Sequence, residues 1–132
     1  MPFLFKKSME VHEPKPGWRG AFAWAPSMSF VQYEIEKGAT LHEHHHDNEE
    51  VWIVLDGQLE MTLDGETSVA RTGDMVVVPR NAPHSARALT AVRAIVVDQP
   101  ARHEIPGRGK QSGLFSSFQM PSAANAADPG EI

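Results

Sequence analysis

The sequence predicts an all-β fold, a sandwich or barrel of short strands. Short runs of β-branched and aromatic residues recur at roughly ten-residue spacing, and turn residues separate them. No window of about a dozen residues carries the apolar spacing i, i+3, i+4, i+7 that an amphipathic helix needs. The chain has 132 residues, of which 41% are hydrophobic, and this length suits one domain with one core.

The apolar runs predict the strands in order along the chain. Their expected bounds are Phe22–Ala25, Ser29–Glu36, Val51–Leu55, Leu59–Leu63, Ser68–Arg71, Met75–Pro79, Ser85–Ala88 and Val92–Val97. Asp64-Gly65 lies between two of these runs and predicts a two-residue hairpin turn, because both turn positions favour positive φ. Asp56-Gly57 and Gly73-Asp74 indicate further turns. Closely spaced strands with tight turns are typical of a sandwich or barrel.

Both ends of the chain differ in composition from the middle. Residues 1–19 contain three prolines, and we expect an irregular N-terminal arm there. Residues 20–104 would form the barrel. Residues 105–132 are rich in Gly, Pro, Ser and Ala, which predicts a flexible tail. The alternative is an arm that packs on a neighbouring subunit or over a barrel mouth, through Leu114, Phe115, Phe118 and Met120.

The overall composition excludes several classes of protein. The chain has no cysteine, which excludes a disulfide scaffold and every thiolate metal site. The net charge of −5 argues against a nucleic-acid-binding groove. No apolar run approaches the ~18 residues of a membrane span. The basic pair near the start has no long apolar region behind it, so we expect no signal peptide and a cytoplasmic location.

Histidine is the residue type that points to function. The chain has seven histidines, and four of them lie between positions 42 and 46. Residues i and i+2 of a strand share one face, so His44 and His46 would converge on one point while His45 faces away. Glu50 follows a short bend and would approach the same point from the next strand. This arrangement predicts a metal site.

A fourth candidate ligand, His84, follows the predicted strand Met75–Pro79 after a short turn-rich segment. Three imidazoles and one carboxylate suit a divalent transition metal ion such as Mn, Fe, Co, Ni, Cu or Zn, whereas Ca and Mg prefer oxygen ligands. Four protein ligands leave one or two positions open for water or substrate. A second register remains open, in which His42, His44 and Glu49 are the ligands at a looser spacing, with the parity shifted.

The spacing of these residues resembles the two sequence motifs of the cupin superfamily. The first motif reads Gly38, five residues, His44, one residue, His46, three residues, Glu50, six residues, Gly57. The second resembles Gly73, five residues, Pro79, one residue, Asn81, two residues, His84. Asn81 stands where the family usually has a glycine, and Ala88 stands where it usually has an asparagine. Asn81 is a mild departure because asparagine also tolerates positive φ.

The resemblance implies both the form of the barrel and its cofactor. It implies a small jelly-roll barrel of two packed sheets, with one divalent metal ion near one mouth. The implied ligands are His44, His46, Glu50 and His84. It also implies a homodimer, because small one-barrel cupins commonly pair, and a small molecule as the other partner.

Four further residues are candidates for the pocket that a substrate would enter. Trp52 shares the parity of Glu50, so it would face inward, either as core or as a stacking surface for a ring. Gln32 could donate a hydrogen bond to a metal ligand from the early strand. Arg19 and Arg93 could clamp a substrate carboxylate, or could be ordinary surface residues.

The layout of the chain is also similar to the small cupins of pectin breakdown that open unsaturated uronate rings. The similarity includes Pro100-Ala101-Arg102 after the last strand, and it implies that Arg102 binds the substrate carboxylate. That family also uses an acid four residues before the proline, where this chain has Val96, with Asp98 nearby. Apart from this departure, the resemblance implies a metal-dependent isomerase or lyase that acts on a sugar acid.

Two other functions stay open at this point. The same ligand set suits a metal-dependent dioxygenase of small aromatic or diketone compounds. A non-enzymatic cupin that binds a small molecule is the second alternative, because a fold does not by itself define a reaction.

Overall fold

The computed structural model describes residues 3–103, and within that range it contains ten strands and one short 3-10 helix, Lys6–Ser8. The strands are β1 Glu10–Lys15, β2 Trp18–Trp24, β3 Ser29–Ile35, β4 Thr40–His44, β5 Glu49–Asp56, β6 Gln58–Leu63, β7 Glu66–Arg71, β8 Met75–Val78, β9 His84–Ala88 and β10 Val92–Gln99. The predicted all-β fold is confirmed. No helix of the described part is long and apolar enough to cross a membrane.

The strands form two antiparallel sheets that pack face to face. The larger sheet has the order β1-β2-β3-β10-β5-β8, and the smaller has the order β4-β9-β6-β7. The inner faces of both sheets supply the hydrophobic core, because alternate residues of each strand point inward. In β3, for example, Val31, Tyr33 and Ile35 are buried while Glu34 is exposed.

Aromatic side chains fill the core beneath the larger sheet. Trp18 and Trp52 are completely buried, and their rings meet edge to face with centroids 6.1 Å apart. Tyr33 packs on Trp18 in the same way at 5.5 Å. Edge-to-face geometry is favourable because the positive ring edge meets the negative ring face. The core therefore fixes the orientation of β2, β3 and β5, which border the candidate site.

Three turns have the backbone geometry that the sequence predicts. Asp64 and Gly65 both have positive φ, 51° and 81°, and they join β6 to β7 as a hairpin. Asn81 has a φ of 62°, which explains why an asparagine can replace the glycine of the family motif. Gly57 has a φ of 102°, and a Cβ there would lie 2.2 Å from the backbone oxygen of Ala91. Only glycine fits that position.

Some local expectations about the elements were wrong. Residues 10–15 form β1, although the prolines predicted an irregular arm. Pro14 is tolerated because β1 is an edge strand that pairs only with β2, and its ladder is interrupted between His12 and Lys15. Strand β4 was not among the predicted strands, because its residues are mostly polar. The predicted behaviour of residues 105–132 lies outside the described residues.

Candidate metal centre

Strand pairing brings together candidate ligands that lie far apart in the chain. His44 is the last residue of β4 and His84 is the first residue of β9. The two residues are direct partners across these antiparallel strands, so their side chains share one face. Their ring centroids lie 4.2 Å apart. The sheet itself therefore places the second-motif histidine beside the first-motif histidines.

Three imidazoles and one carboxylate meet in a single buried cluster. His44, His46 and His84 each offer a nitrogen within 4.8 Å of the others, and all three side chains are buried. The Glu50 carboxylate lies 3.4 Å from His46 Nε2 and 3.4 Å from His84 Nε2. Glu50 is completely buried. We call these four residues the ligand cluster.

Backbone carbonyls orient two of the imidazoles. His44 Nδ1 lies 2.9 Å from the carbonyl oxygen of His42, and His84 Nδ1 lies 2.9 Å from that of Ala82. A carbonyl oxygen only accepts, so each Nδ1 donates and carries the proton. In the neutral form of each ring, Nε2 then carries the lone pair that can bind a metal ion. Metal-binding histidines in proteins are commonly oriented in this way.

The buried polar atoms of the ligand cluster match a bound cation. His46 Nε2, His84 Nε2 and Glu50 Oε2 are buried and have no hydrogen-bond partner. Buried polar atoms are normally satisfied, and unpaired ones often indicate an ion. Three nitrogen donors and a carboxylate suit a first-row transition metal better than calcium or magnesium. The cluster has the composition and geometry to hold such an ion.

Glu50 is held in its charged form by its neighbours. Burial alone would raise the pKa of Glu50, but close contacts with His46, His84 and Asp98 outweigh it and bring the pKa well below its usual range. In addition, Trp52 Nε1 donates a hydrogen bond of 2.7 Å to Glu50 Oε1. Trp52 is therefore both part of the core and the residue that orients the Glu50 carboxylate, rather than an open stacking surface.

Asp98 is a member of the site that the sequence did not single out as a ligand or pocket residue. It is the cross-strand partner of Glu50 between β10 and β5, and its carboxylate groups with His46 and Glu50 within 4.8 Å. Burial and the negative charge of Glu50 raise the pKa of Asp98 well above its usual range. Asp98 lies two residues after Val96 on β10, and both side chains are buried, so they share the inward parity.

Arg102 enters the barrel on a segment that several hydrogen bonds hold in place. Its guanidinium Nη1 lies 3.7 Å from Glu50 Oε2, and its side chain is only 5% exposed. Trp24 Nε1 donates to the carbonyl of Arg102, and the amide of Arg102 donates to Ser29 Oγ, both at 2.8 Å. Asn48 Nδ2 donates to the carbonyl of Pro100 at 2.7 Å. A buried cation thus adjoins the ligand cluster.

Tyr33 contributes a second polar group that the sequence analysis did not assign to the site. It is 1% exposed, and its hydroxyl has no hydrogen-bond partner. Burial raises its pKa well above the usual value, and it lies within electrostatic reach of Arg102, Glu50 and Asp98. The inward parity of β3 was the available signal, but parity alone does not separate a core tyrosine from a site tyrosine.

Two predicted pocket residues lie on the wrong side of the sheet. Gln32 and Arg19 are on the outer face of the larger sheet, and each lines a shallow depression there. Gln32 was expected to support a metal ligand and Arg19 to clamp a substrate carboxylate, but both face away from the ligand cluster, because inward positions of β2 and β3 belong to residues of the opposite parity. His42 and Glu49, the ligands of the alternative register, are exposed, as is His45. The structure therefore brings together the ligands of the first register.

Comparisons with known proteins agree with this geometry. Residues 31–98 match the family model Cupin_2, described as a cupin domain, and the chain belongs to the cupin family. Quercetin 2,3-dioxygenase of Bacillus subtilis (strain 168) is 49% identical over 43 residues. That match covers 33% of this chain and only 13% of the dioxygenase.

Solved structures of similar size resemble the whole barrel. An RmlC-like cupin from Shewanella frigidimarina NCIMB 400 is 27% identical, with a TM-score of 0.71 over 76% of this chain and 91% of that one. KdgF from Halomonas sp. is 26% identical, with a TM-score of 0.72 over 77% of this chain and 96% of that one. The similarity spans nearly the full length of both relatives.

Proposed function

We propose that this cupin is a metal-dependent enzyme that acts on a small, oxygen-rich substrate carrying a carboxylate, such as a sugar acid, by isomerase- or lyase-type chemistry. The observation that carries the proposal is Arg102, a buried guanidinium beside the ligand cluster. Arginine keeps its positive charge even when it is buried, so it attracts an anionic group of a substrate. Its planar fork matches a carboxylate through two parallel hydrogen bonds.

The position of Arg102 defines how a substrate would be oriented. Its Nη1 is within 4 Å of a predicted metal ligand, Glu50, so a substrate carboxylate on Arg102 would have its neighbouring oxygens beside the metal site. Hydrogen bonds with Trp24 and Ser29 hold the backbone carbonyl and amide of that arginine, and a bond from Asn48 holds the carbonyl of Pro100. Such preorganisation lowers the cost of ordering a substrate.

The ion would be held by the ligand cluster of His44, His46, His84 and Glu50. When bound, it would act as a Lewis acid on a substrate carbonyl or hydroxyl oxygen.

The neighbouring side chains supply the remaining groups that this chemistry needs. The Tyr33 hydroxyl is in a position to donate a hydrogen bond to a substrate oxygen. The Asp98 carboxyl, beside His46 and Glu50, is the group placed to give a proton to the substrate or take one from it.

A dioxygenase of small aromatic or diketone compounds is the second candidate function. The observation that favours it is the 49% identity to quercetin 2,3-dioxygenase over 43 residues. Three imidazoles and one carboxylate also suit iron or manganese with open positions for oxygen and substrate. Salicylate 1,2-dioxygenase from Pseudoaminobacter salicylatoxidans, at 22% identity, supports the fold alone.

One set of assays separates these functions. Protein purified without chelators is analysed for metal, then assayed for loss of the ultraviolet absorbance of 4,5-unsaturated uronates. Oxygen uptake with catechols, diketones and flavonols is measured in parallel after reconstitution with Fe(II). Uronate turnover supports the first function, and oxygen uptake without it supports the second. If no restored metal ion gives either activity, both enzymatic functions are contradicted and a non-enzymatic binding protein is favoured.

Variants of Arg102 test the carboxylate contact. Arg102→Ala should lower kcat/KM for a uronate about 100-fold or more while bound metal is retained, because a buried charged hydrogen-bond partner is lost. Arg102→Lys should recover little, since an ammonium group cannot form the planar fork. Arg71→Ala, which alters an exposed arginine of β7, serves as the control. Full turnover by Arg102→Ala would overturn the assignment.

A further inference from the structure

The antiparallel ladder between β5 and β10 ends at Pro100. Its last backbone pair is Glu49 with Gln99, so the next pair in this register would be Asn48 with Pro100. A proline has no N–H group and cannot donate to a ladder. The side chain of Asn48 donates instead, from Nδ2 to the carbonyl oxygen of Pro100 at 2.7 Å. This hydrogen bond continues the contact between the two chain segments beyond the ladder.

Asn48 lies in the bend that carries two of the candidate metal ligands. It is two residues from His46 and two from Glu50, and we call residues 46–50 the ligand bend. Asn48 is completely buried, and its Oδ1 has no hydrogen-bond partner in the part of the chain that the structure describes. Burial of an unpaired polar atom is unfavourable. Packing alone therefore does not explain an asparagine at this position.

The other end of the hydrogen bond belongs to the segment that carries Arg102. Pro100 lies two residues before Arg102, whose amide donates to Ser29 Oγ and whose carbonyl accepts from Trp24 Nε1. Ser29 and Trp24 lie on β3 and β2, apart from the ligand bend. Asn48 differs from them because it is part of that bend. Its hydrogen bond therefore joins the metal site to the backbone that carries the buried arginine.

We propose that Asn48 is a positioning residue that couples the metal site to Arg102. This inference rests on the proposed function, in which Arg102 binds a substrate carboxylate. His46 and Glu50 take fixed positions when they bind an ion, and the ligand bend between them is then fixed as well. Asn48 passes this order to the carbonyl of Pro100, so the guanidinium is held most firmly in the metal-bound protein. Coupling is reciprocal, so an anion on Arg102 also tightens metal binding.

Amide hydrogen exchange at Arg102 measures the coupling without a substrate. This amide is hydrogen-bonded to Ser29, so its exchange reports opening of the segment. Nuclear magnetic resonance is recorded on the full chain with and without zinc, which binds nitrogen and oxygen ligands and has no redox chemistry. Zinc should slow the exchange about fivefold or more in the wild-type protein. In Asn48→Leu, which has a similar branched shape but no donor, zinc should change the rate less than about twofold.

Two further variants separate coupling from packing and from general loosening. Asn48→Ala is small and also lacks the donor, so it should lose the zinc effect even if leucine packs badly. Trp24→Phe removes the donor to the Arg102 carbonyl from outside the ligand bend. It should speed the exchange by similar factors with and without zinc and leave zinc affinity unchanged. Urea unfolding verifies that each variant folds.

Kinetics connect the coupling to the proposed function. At saturating metal, Asn48→Leu should lower kcat/KM for an unsaturated uronate about fivefold or more. The double variant Asn48→Leu/Arg102→Ala should be no slower than Arg102→Ala, because a residue that acts through Arg102 has no effect once the guanidinium is absent.

The outcomes separate this inference from the proposed function. The inference is overturned if zinc leaves exchange at Arg102 unchanged in the wild-type protein, or if Asn48→Leu keeps the full zinc effect. Equal loss of the zinc effect in Trp24→Phe and Asn48→Leu would also overturn it. A zinc effect that depends on Asn48, in a protein that turns over no uronate, would contradict the proposed function and support the coupling.

Discussion

The hydrogen bond from Trp52 to Glu50 gives a quantitative test of how the site is built. Trp52→Phe removes a donor 2.7 Å from a carboxylate oxygen, in a place where both side chains have zero exposure. No water can replace the lost donor there without rearrangement. Hydrogen bonds to charged groups contribute about 1.5–3 kcal/mol. We therefore expect the free energy of unfolding of the metal-free variant to fall by about that amount, plus a smaller loss because the smaller ring packs less well.

Trp18→Phe is a matched control for this substitution. Trp18 is also completely buried, but its Nε1 donates to the neutral backbone carbonyl of Thr40 at 3.1 Å. A neutral hydrogen bond contributes about 0.5–1.5 kcal/mol. Because both variants lose the same atoms, the excess loss in Trp52→Phe, about 1 kcal/mol or more, reports the charge on Glu50.

Urea unfolding in the presence of a chelator measures the stability difference, and metal titration gives a second readout. Trp52→Phe should weaken metal binding about 10–100-fold, since an oriented ligand loses its supporting contact. Trp18→Phe should leave metal affinity close to wild type. Equal stability losses in the two variants, together with unchanged metal affinity in both, would refute the view that Trp52 positions Glu50.

Three further predictions follow from burial, charge and backbone geometry. His46→Ala should abolish metal retention, measured by elemental analysis, whereas His45→Ala, at an exposed neighbour, should keep the metal. Equal metal losses in the two variants would contradict the register that uses His44, His46 and Glu50 as ligands. The raised pKa of Asp98 means that its stabilising protonated form is present at low pH and lost as pH rises through the folded-state pKa. Metal-free Asp98→Asn should therefore gain stability relative to wild type as the pH rises above about 4, the unfolded-state pKa of aspartate, and a lower unfolding midpoint than wild type at neutral pH would argue against this. Gly57→Ala should lower the free energy of unfolding by about 2–4 kcal/mol, because a Cβ there would lie 2.2 Å from a backbone oxygen. The control Gly65→Ala has open space around it and should lower the free energy of unfolding by about 1 kcal/mol. Similar urea unfolding midpoints for the two variants would contradict this.

Most of the metal site was predictable because its signals are local. His44, His46 and Glu50 lie within seven residues of one another, so strand parity and one short bend suffice to relate them. His84 is more distant, and only the resemblance to the second cupin motif joined it to the others. The structure supplies the physical link, since His44 and His84 are cross-strand partners.

The residues missed or misplaced depend on register and on the side of a sheet. Asp98 reaches the ligand cluster because it is the cross-strand partner of Glu50 between β10 and β5. The local periodicity of a sequence does not show which distant residues pair across strands. Gln32 and Arg19 were considered for the pocket because of their side-chain chemistry, an amide donor and a guanidinium fork. Alternation with the apolar residues of β2 and β3 puts both on the outer face, away from the smaller sheet.

Strand periodicity, turn residues and motif spacing by themselves determined an all-β cupin barrel and a mixed nitrogen and oxygen site. They did so because each is a short-range property of the chain. Tertiary structure alone decided that Asp98 and Tyr33 adjoin the ligand cluster, and that Gln32 and Arg19 lie on the outer face of the larger sheet. These groupings arise from hydrogen-bonded register between strands distant in sequence, and that register is set by burying both sheets against one core.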